Sequence, residues 1–242
     1  MPAWAAAILG HLKVVDAERE RRSADPRLGA RVLALKAFQQ RRFSRTYADL
    51  LSSARYGAAS RFFLDELYGP DDFTRRDTQF ARLVPALVRL FPTEIVATVS
   101  TLAELHALSE TFDTAMAMKL EDEPLTGVAY IRAWQRADGA ADRERQIALT
   151  LSAAASLDRF TRKPLLRHSL RLMRAPARAA GLSGLQRFLE TGFDTFRAMD
   201  GAQAFIAIVG ARERALAAAL FAAGSNGGDG QASMDRALAS LP

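Results

Sequence analysis

The chain has 242 residues, 49% hydrophobic and 25% charged, which suits one large globular domain or two small ones and argues against global disorder. Cysteine is absent and histidine occurs three times, excluding disulfide scaffolds, thiolate zinc sites, cysteine-held iron–sulfur clusters and a cysteine nucleophile. The net charge of +6 invites nucleic acid or anionic surfaces as partners, although Arg and Ala enriched together also fit the codon bias of a GC-rich genome.

Ala and Leu dominate while Val and Ile are sparse, which favours helix over strand. The first helix is expected over about 3–22, ending in the charged run Asp16 to Arg22. Ala3 to Gly10 is apolar but short and lacks a positive start, so it does not read as a signal peptide. No run reaches the roughly twenty apolar residues of a transmembrane span, and the chain reads as soluble and cytoplasmic. Asp25-Pro26 punctuates, and a second helix follows over about 27–42. Ser44 or Thr46 can cap a third helix, with Asp49 three residues after Thr46 in the capping-box position, and this helix ends at Tyr68-Gly69-Pro70. Asp71 and Asp72 open a fourth, with Pro85 expected to bend it and Phe91-Pro92 to stop it.

Thr93 opens a long helix to about Leu120. A shorter one ends near Ala137, before Asp138-Gly139. Another covers about 141–162. Pro164 begins a short basic helix, Pro176 the next turn, and Gly181 precedes a helix over about 182–199. Asp200-Gly201 is a tight junction before the last main helix, about 202–223. The expected fold is all-α: one multi-helix, bundle-like domain over 1–224 with a flexible C-terminal tail, made of a flexible linker and a short amphipathic segment over 225–242. The tail should carry Met234, Leu238 and Leu241 on one face, either docked loosely or awaiting a partner groove.

The stretch Phe62-Phe63-Leu64-Asp65-Glu66-Leu67-Tyr68-Gly69-Pro70, followed by Asp72-Phe73, Arg76-Asp77, Gln79-Phe80 and Leu90-Phe91-Pro92, resembles an uncharacterised family of all-helical bacterial proteins, a domain of unknown function. Weaker matching stretches include Arg145-Gln146-Ile147, Ala180-Gly181-Leu182, Phe188-Leu189-Glu190 and Arg212-Glu213. The resemblance covers about residues 45–220. It implies a helical fold and a bacterial cytoplasmic setting, and it brings no activity and no catalytic residue.

The residues themselves show no phosphate-binding glycine loop and no nucleophile elbow. Glu104, His106, Glu110 and Asp113 lie on one helix, and the last three share a face. One His and two carboxylates are ligands for iron or manganese, yet a polar helix face needs no metal to explain it. His11, His106 and His168 are the candidate axial ligands for haem, with no attachment motif beside any of them. The sequence identifies no cofactor.

Two polar groups stand out. Arg167, Arg171, Arg174 and Arg178 are spaced by four, three and four and form a candidate anion-binding stripe for phosphate, acidic protein or anionic lipid. A solvated face paired with the chain's own carboxylates is the alternative. Phe73, Asp77, Phe80, Val84, Leu87 and Phe91 follow the spacing of a buried seam, so Asp77 should point inward. A buried carboxylate needs a partner. Arg212 is the first candidate, with Arg145 and Arg61 behind it, and Tyr68, Asp77, Arg145 and Arg212 make a candidate buried polar cluster. It is either an ion pair fixing helix register or the lining of a small polar site. Two classes of function remain open. The first is a non-enzymatic helical module that binds a protein partner or its own copy. The second is a metal-, haem- or small-ligand-binding protein, and so a potential enzyme.

Overall fold

The computed structural model describes residues 3–66, 74–120, 125–137, 139–224 and 228–242. Among them are thirteen helices and no strand. In chain order they are α1 (Ala3–Ala24), α2 (Pro26–Thr46), α3 (Ala48–Ser52), α4 (Gly57–Glu66), α5 (Thr74–Leu90), α6 (Thr93–Lys119) and α7 (Gly127–Ala137). Then come α8 (Ala140–Thr161), α9 (Pro164–Leu172), α10 (Arg174–Ala179), α11 (Ser183–Ala198), α12 (Gln203–Ala222) and α13 (Gly228–Ser240).

The breaks have local causes. Asp25 caps α2, its Oδ1 accepting from the amides of Arg27 and Leu28, while Pro26 takes the first helical position, where a missing N–H costs nothing. The third predicted helix is two short ones. The Ser53 hydroxyl accepts from the amides of Arg55 and Tyr56, and this local bond competes with helical continuation. Gly57 then passes so close to the chain that a Cβ would sit 2.8 Å from the Leu51 carbonyl oxygen. The expected Thr46–Asp49 capping box does not form: α2 runs through Thr46, and Asp49 pairs with Arg212 instead. Pro85 lies inside a continuous α5.

At the α10–α11 turn, Gly181 adopts a left-handed φ of 73°. The Leu182 amide donates to the Ala177 carbonyl at 2.7 Å and the Gly181 amide to the Arg178 carbonyl at 3.1 Å, the bonding of a glycine-terminated helix end. The α11–α12 junction is held from both sides. Arg55 donates to the carbonyls of Met199, Asp200 and Gly201, and Asp158 accepts from the Ala202 amide and Gln203 Nε2, both at 3.0 Å.

Among the described residues, three larger apolar clusters share the interior with a small one of Leu28, Val32 and Ala117. Ile8, Leu12, Val84 and Val96 join α1, α5 and α6. Tyr47, Ala154, Phe196, Met199 and Phe205 join the α3 end to α8, α11 and α12. Phe38, Met116, Tyr130, Leu216, Leu220 and Leu241 join α2, α6, α7, α12 and the C-terminal segment. The tail face read from the sequence is therefore docked: Met234 and Leu238 pack against this cluster, and Leu241 keeps only 1% of its surface exposed. No helix of the described residues is long and apolar enough to cross a membrane.

Candidate anion-binding face

Asp77 does point inward, with 13% of its side chain exposed. Its cation is not Arg212. Arg19 Nη2 lies 2.6 Å and His106 Nε2 2.9 Å from its Oδ2, because α5 packs on α1 and α6. Burial pushes the carboxyl up, but His106 and Arg19 outweigh it and hold the pKa below the ordinary range. Arg212 faces α2 and α3, where it forks onto both oxygens of Asp49 at 2.7 and 2.8 Å. Arg145 is on the surface and pairs with Glu104. Arg61 donates to the Leu51 carbonyl at 2.9 Å. Tyr68 lies outside the described residues. Asp77, Arg145 and Arg212 of the expected buried polar cluster are thus not brought together.

A second interior network went unread in the sequence. Glu110 is clamped by Arg22 from α1 and by Lys36 from α2, the latter at 2.6 Å. Burial again pushes this carboxyl up, but the two cations hold it at about 2. One turn on, Asp113 accepts from Gln39 Nε2 at 3.2 Å and stands 3.8 Å from Lys36. Here burial wins over Lys36 and raises the carboxyl. Arg143 is buried between the rings of Phe112 and Trp134, its guanidinium 4.2 and 3.9 Å from their centroids. Glu213 accepts from Arg42 and from the Tyr47 hydroxyl. The signal for Arg19 and Arg22 was present in the sequence. Ile8, Leu12, Val15, Arg19 and Arg22 are spaced by four, three, four and three, so the inward stripe of α1 continues into the charged run. The metal set read from α6 is dispersed accordingly: His106 meets Asp77, Glu110 its two cations and Asp113 Gln39. Of the candidate haem ligands, His11 lies on α1 and His168 is exposed on α9. Among the described residues no group of His, Asp and Glu converges to hold a metal.

The arginine stripe behaves differently. It divides between paired and uncommitted members. Arg167 forks onto Asp194 at 2.7 and 2.6 Å, and Arg174 forks onto Glu190 at 2.7 and 2.6 Å. Both pairs tie α9–α10 to α11. Arg174 in turn keeps the Glu190 carboxyl at about 2. Arg171 and Arg178 meet no carboxylate among the described residues, and neither does Arg187 on α11. Between α10 and α11 lies an open cleft of about 520 Å³, lined in part by Arg174, Arg178 and Arg187. Beside it, α9 exposes Leu165 by 80% and Leu172 by 68%. These leucines are seven residues apart, so they share the outer face of α9, while the Leu170 carbonyl accepts from Gln186 of α11 on the inner side.

The described residues form an all-helical domain in which the buried carboxylates Asp77 and Glu110 are paired with cations, while the exposed Arg171, Arg178 and Arg187 of the α9–α11 face meet no carboxylate. The chain belongs to the family described as a domain of unknown function (DUF8198), whose profile matches residues 18–227. No curated protein and no solved structure matches the chain.

Proposed function

We propose that the chain is a non-enzymatic helical module of the bacterial cytoplasm that holds an acidic, leucine-bearing segment of a protein partner against the α9–α11 face. The observation that carries this reading is the contrast in charge pairing. The buried carboxylates Asp77 and Glu110 have cations of their own, whereas Arg171, Arg178 and Arg187 have no carboxylate among the described residues, and α9 with the residue that follows it exposes Leu165, Leu172 and Met173. Cations supply orientation and steering, and exposed leucines supply buried apolar area. Nucleic acid fits this face less well. Its continuous phosphate chain would run past Glu190 and Asp194, and the exposed side chains here are aliphatic, offering no stacking platform for bases.

The test is a fluorescence-polarisation titration of the whole chain with a labelled peptide of alternating Glu and Leu. A Lys-for-Glu twin and a single-stranded oligonucleotide serve as comparisons. Binding of the acidic peptide should weaken by about tenfold or more in Arg171→Glu and Arg178→Glu, and also in Leu172→Glu. Equal binding by the wild type and all three variants removes the reading. Salt-steep binding of the oligonucleotide in preference to the peptide replaces it with a nucleic-acid partner. A dimer in native mass spectrometry that Leu172→Glu dissociates makes the partner a second copy.

A further inference from the structure

The cleft between α10 and α11 carries a more specific chemistry than the face around it. Two of its lining groups are carboxylates, Glu190 and Asp194. Each is already taken by a forked arginine, Arg174 and Arg167 respectively. Glu190 also accepts from Gln186 Nε2 at 2.7 Å. Subtracting these matched pairs leaves two cations in the lining, Arg178 on the α10 wall and Arg187 on the α11 wall. Ser183 and Thr191 line the same space, and their hydroxyls make no hydrogen bond among the described residues.

We propose that this cleft binds a phosphomonoester, with Arg178 and Arg187 as its two guanidinium partners and Ser183 and Thr191 as neutral donors. The proposal rests on the reading above that this face receives an anionic partner, and it names the anion. Two unmatched cations on opposite walls equal the charge of a phosphomonoester dianion. Guanidinium forks suit its planar oxygen edges better than a point charge does. A volume of about 520 Å³ admits the phosphate and the group that bears it. The walls are also set before binding. The Gly181 turn bonds α10 to the start of α11, Gln79 of α5 donates to the Gly181 carbonyl at 2.9 Å, and the Arg174–Glu190 fork closes the base. Little ordering remains to be done when the ligand arrives.

A phosphomonoester comes from either of two sources, a phosphorylated side chain of the protein partner or a free phosphorylated small molecule. The experiment separates them. The whole chain is titrated with a phosphoserine peptide of acidic and leucine residues, with its serine twin, with free O-phosphoserine, and with inorganic phosphate against chloride at matched ionic strength. The phosphopeptide should bind at least about tenfold tighter than the serine twin, and inorganic phosphate should compete where chloride does not. Arg178→Gln and Arg187→Gln should each abolish that preference without shifting Tm, since both side chains are exposed. Arg171→Gln, outside the cleft lining, should leave the preference intact. A phosphopeptide tighter than free O-phosphoserine identifies the protein source, and equal affinity identifies the small molecule. Phosphopeptide and serine twin binding alike overturns the proposal while the acidic-partner reading stands. Binding of neither peptide overturns both.

Discussion

Glu110 and Asp113 sit one turn apart on α6, share Lys36, and are driven in opposite directions. Glu110, with 7% of its side chain exposed, has two cations and is held at about 2. Its folded pKa is below the unfolded value, so its contribution is complete above the ordinary carboxylate range and is lost as pH falls toward the folded value. From the ordinary 4.5 down to about 2, that linkage is on the order of 3 kcal/mol. Glu110→Gln should therefore destabilise the fold at neutral pH by about 3 kcal/mol, read by urea unfolding. Asp113 is raised by burial, so it destabilises the fold as pH rises above its unfolded value. Asp113→Asn should be neutral or stabilising, within about 1 kcal/mol. A loss in Asp113→Asn as large as in Glu110→Gln would mean that Lys36 serves both carboxylates equally. The inwardness of Asp77 was legible because Phe80, Val84 and Leu87 mark its face of α5. Its partner was not, because the choice of Arg19 over Arg212 depends on which helices pack on α5, and one helix's periodicity carries no information about its neighbours. The arginine stripe was legible as a row of charges. Its division into paired and uncommitted members was not, since the pairing depends on where α11 places Asp194 and Glu190.

Helix breaks were readable wherever chemistry is local. Pro26, Pro164, Gly181 and Gly201 each act on their own backbone, and the boundaries predicted beside them fall close to those observed. The break between α3 and α4 was missed because it depends on a serine hydroxyl competing for two amides and on a close pass over Leu51. The C-terminal helix is the clearest case of an element whose face was legible and whose docking was not. Its residues share a helical face by spacing alone. The groove that receives them is built from α7 and α12: Gly127 leaves room for Leu238, whose Cδ2 would lie 2.9 Å from a Cβ there, and Arg45 donates to the Leu241 carbonyl at 2.6 Å. Leu241→Ala should cost about 2–4 kcal/mol, as for other fully buried leucines. Removing residues 228–242 should lower Tm by more than that single substitution does, because it uncovers Leu216 and Leu220 as well. An unchanged Tm after truncation would show that α13 contributes nothing to the main domain's stability. Gly192 makes the same point for α11. A Cβ there would lie 2.9 Å from the Phe62 ring, so the glycine sets how closely α11 approaches α4.

At the scale of the molecule, the balance between interior pairs and surface excess decides the response to pH and salt. The chain has 33 Lys and Arg against 27 Asp and Glu, so it is cationic at neutral pH and becomes more so as carboxylates protonate. Asp77 and Glu110 are held below their ordinary values from the interior, and Asp49 and Glu190 are held at about 2 on the surface. All four shifts have the same sign, so each contribution is present above the ordinary carboxylate range and fades as pH falls through it. The surface pairs are open to solvent and count for little, so the acid loss belongs mainly to Asp77 and Glu110. Tm should stay nearly level from about pH 7 to pH 5 and fall steeply below about pH 4.5. Salt should then act with opposite signs at the two ends. Near neutrality, about 0.5 M sodium chloride screens exposed pairs such as Arg212–Asp49 and Arg214–Glu144 and should lower Tm slightly. Near pH 3, the same salt screens the repulsion of a strongly positive chain and should raise Tm by several degrees. The measurement is a grid of thermal melts followed by circular dichroism across pH and salt. A Tm that stays level down to about pH 2.5 would show that the Arg19–Asp77 and Lys36–Glu110 pairs do not hold in solution.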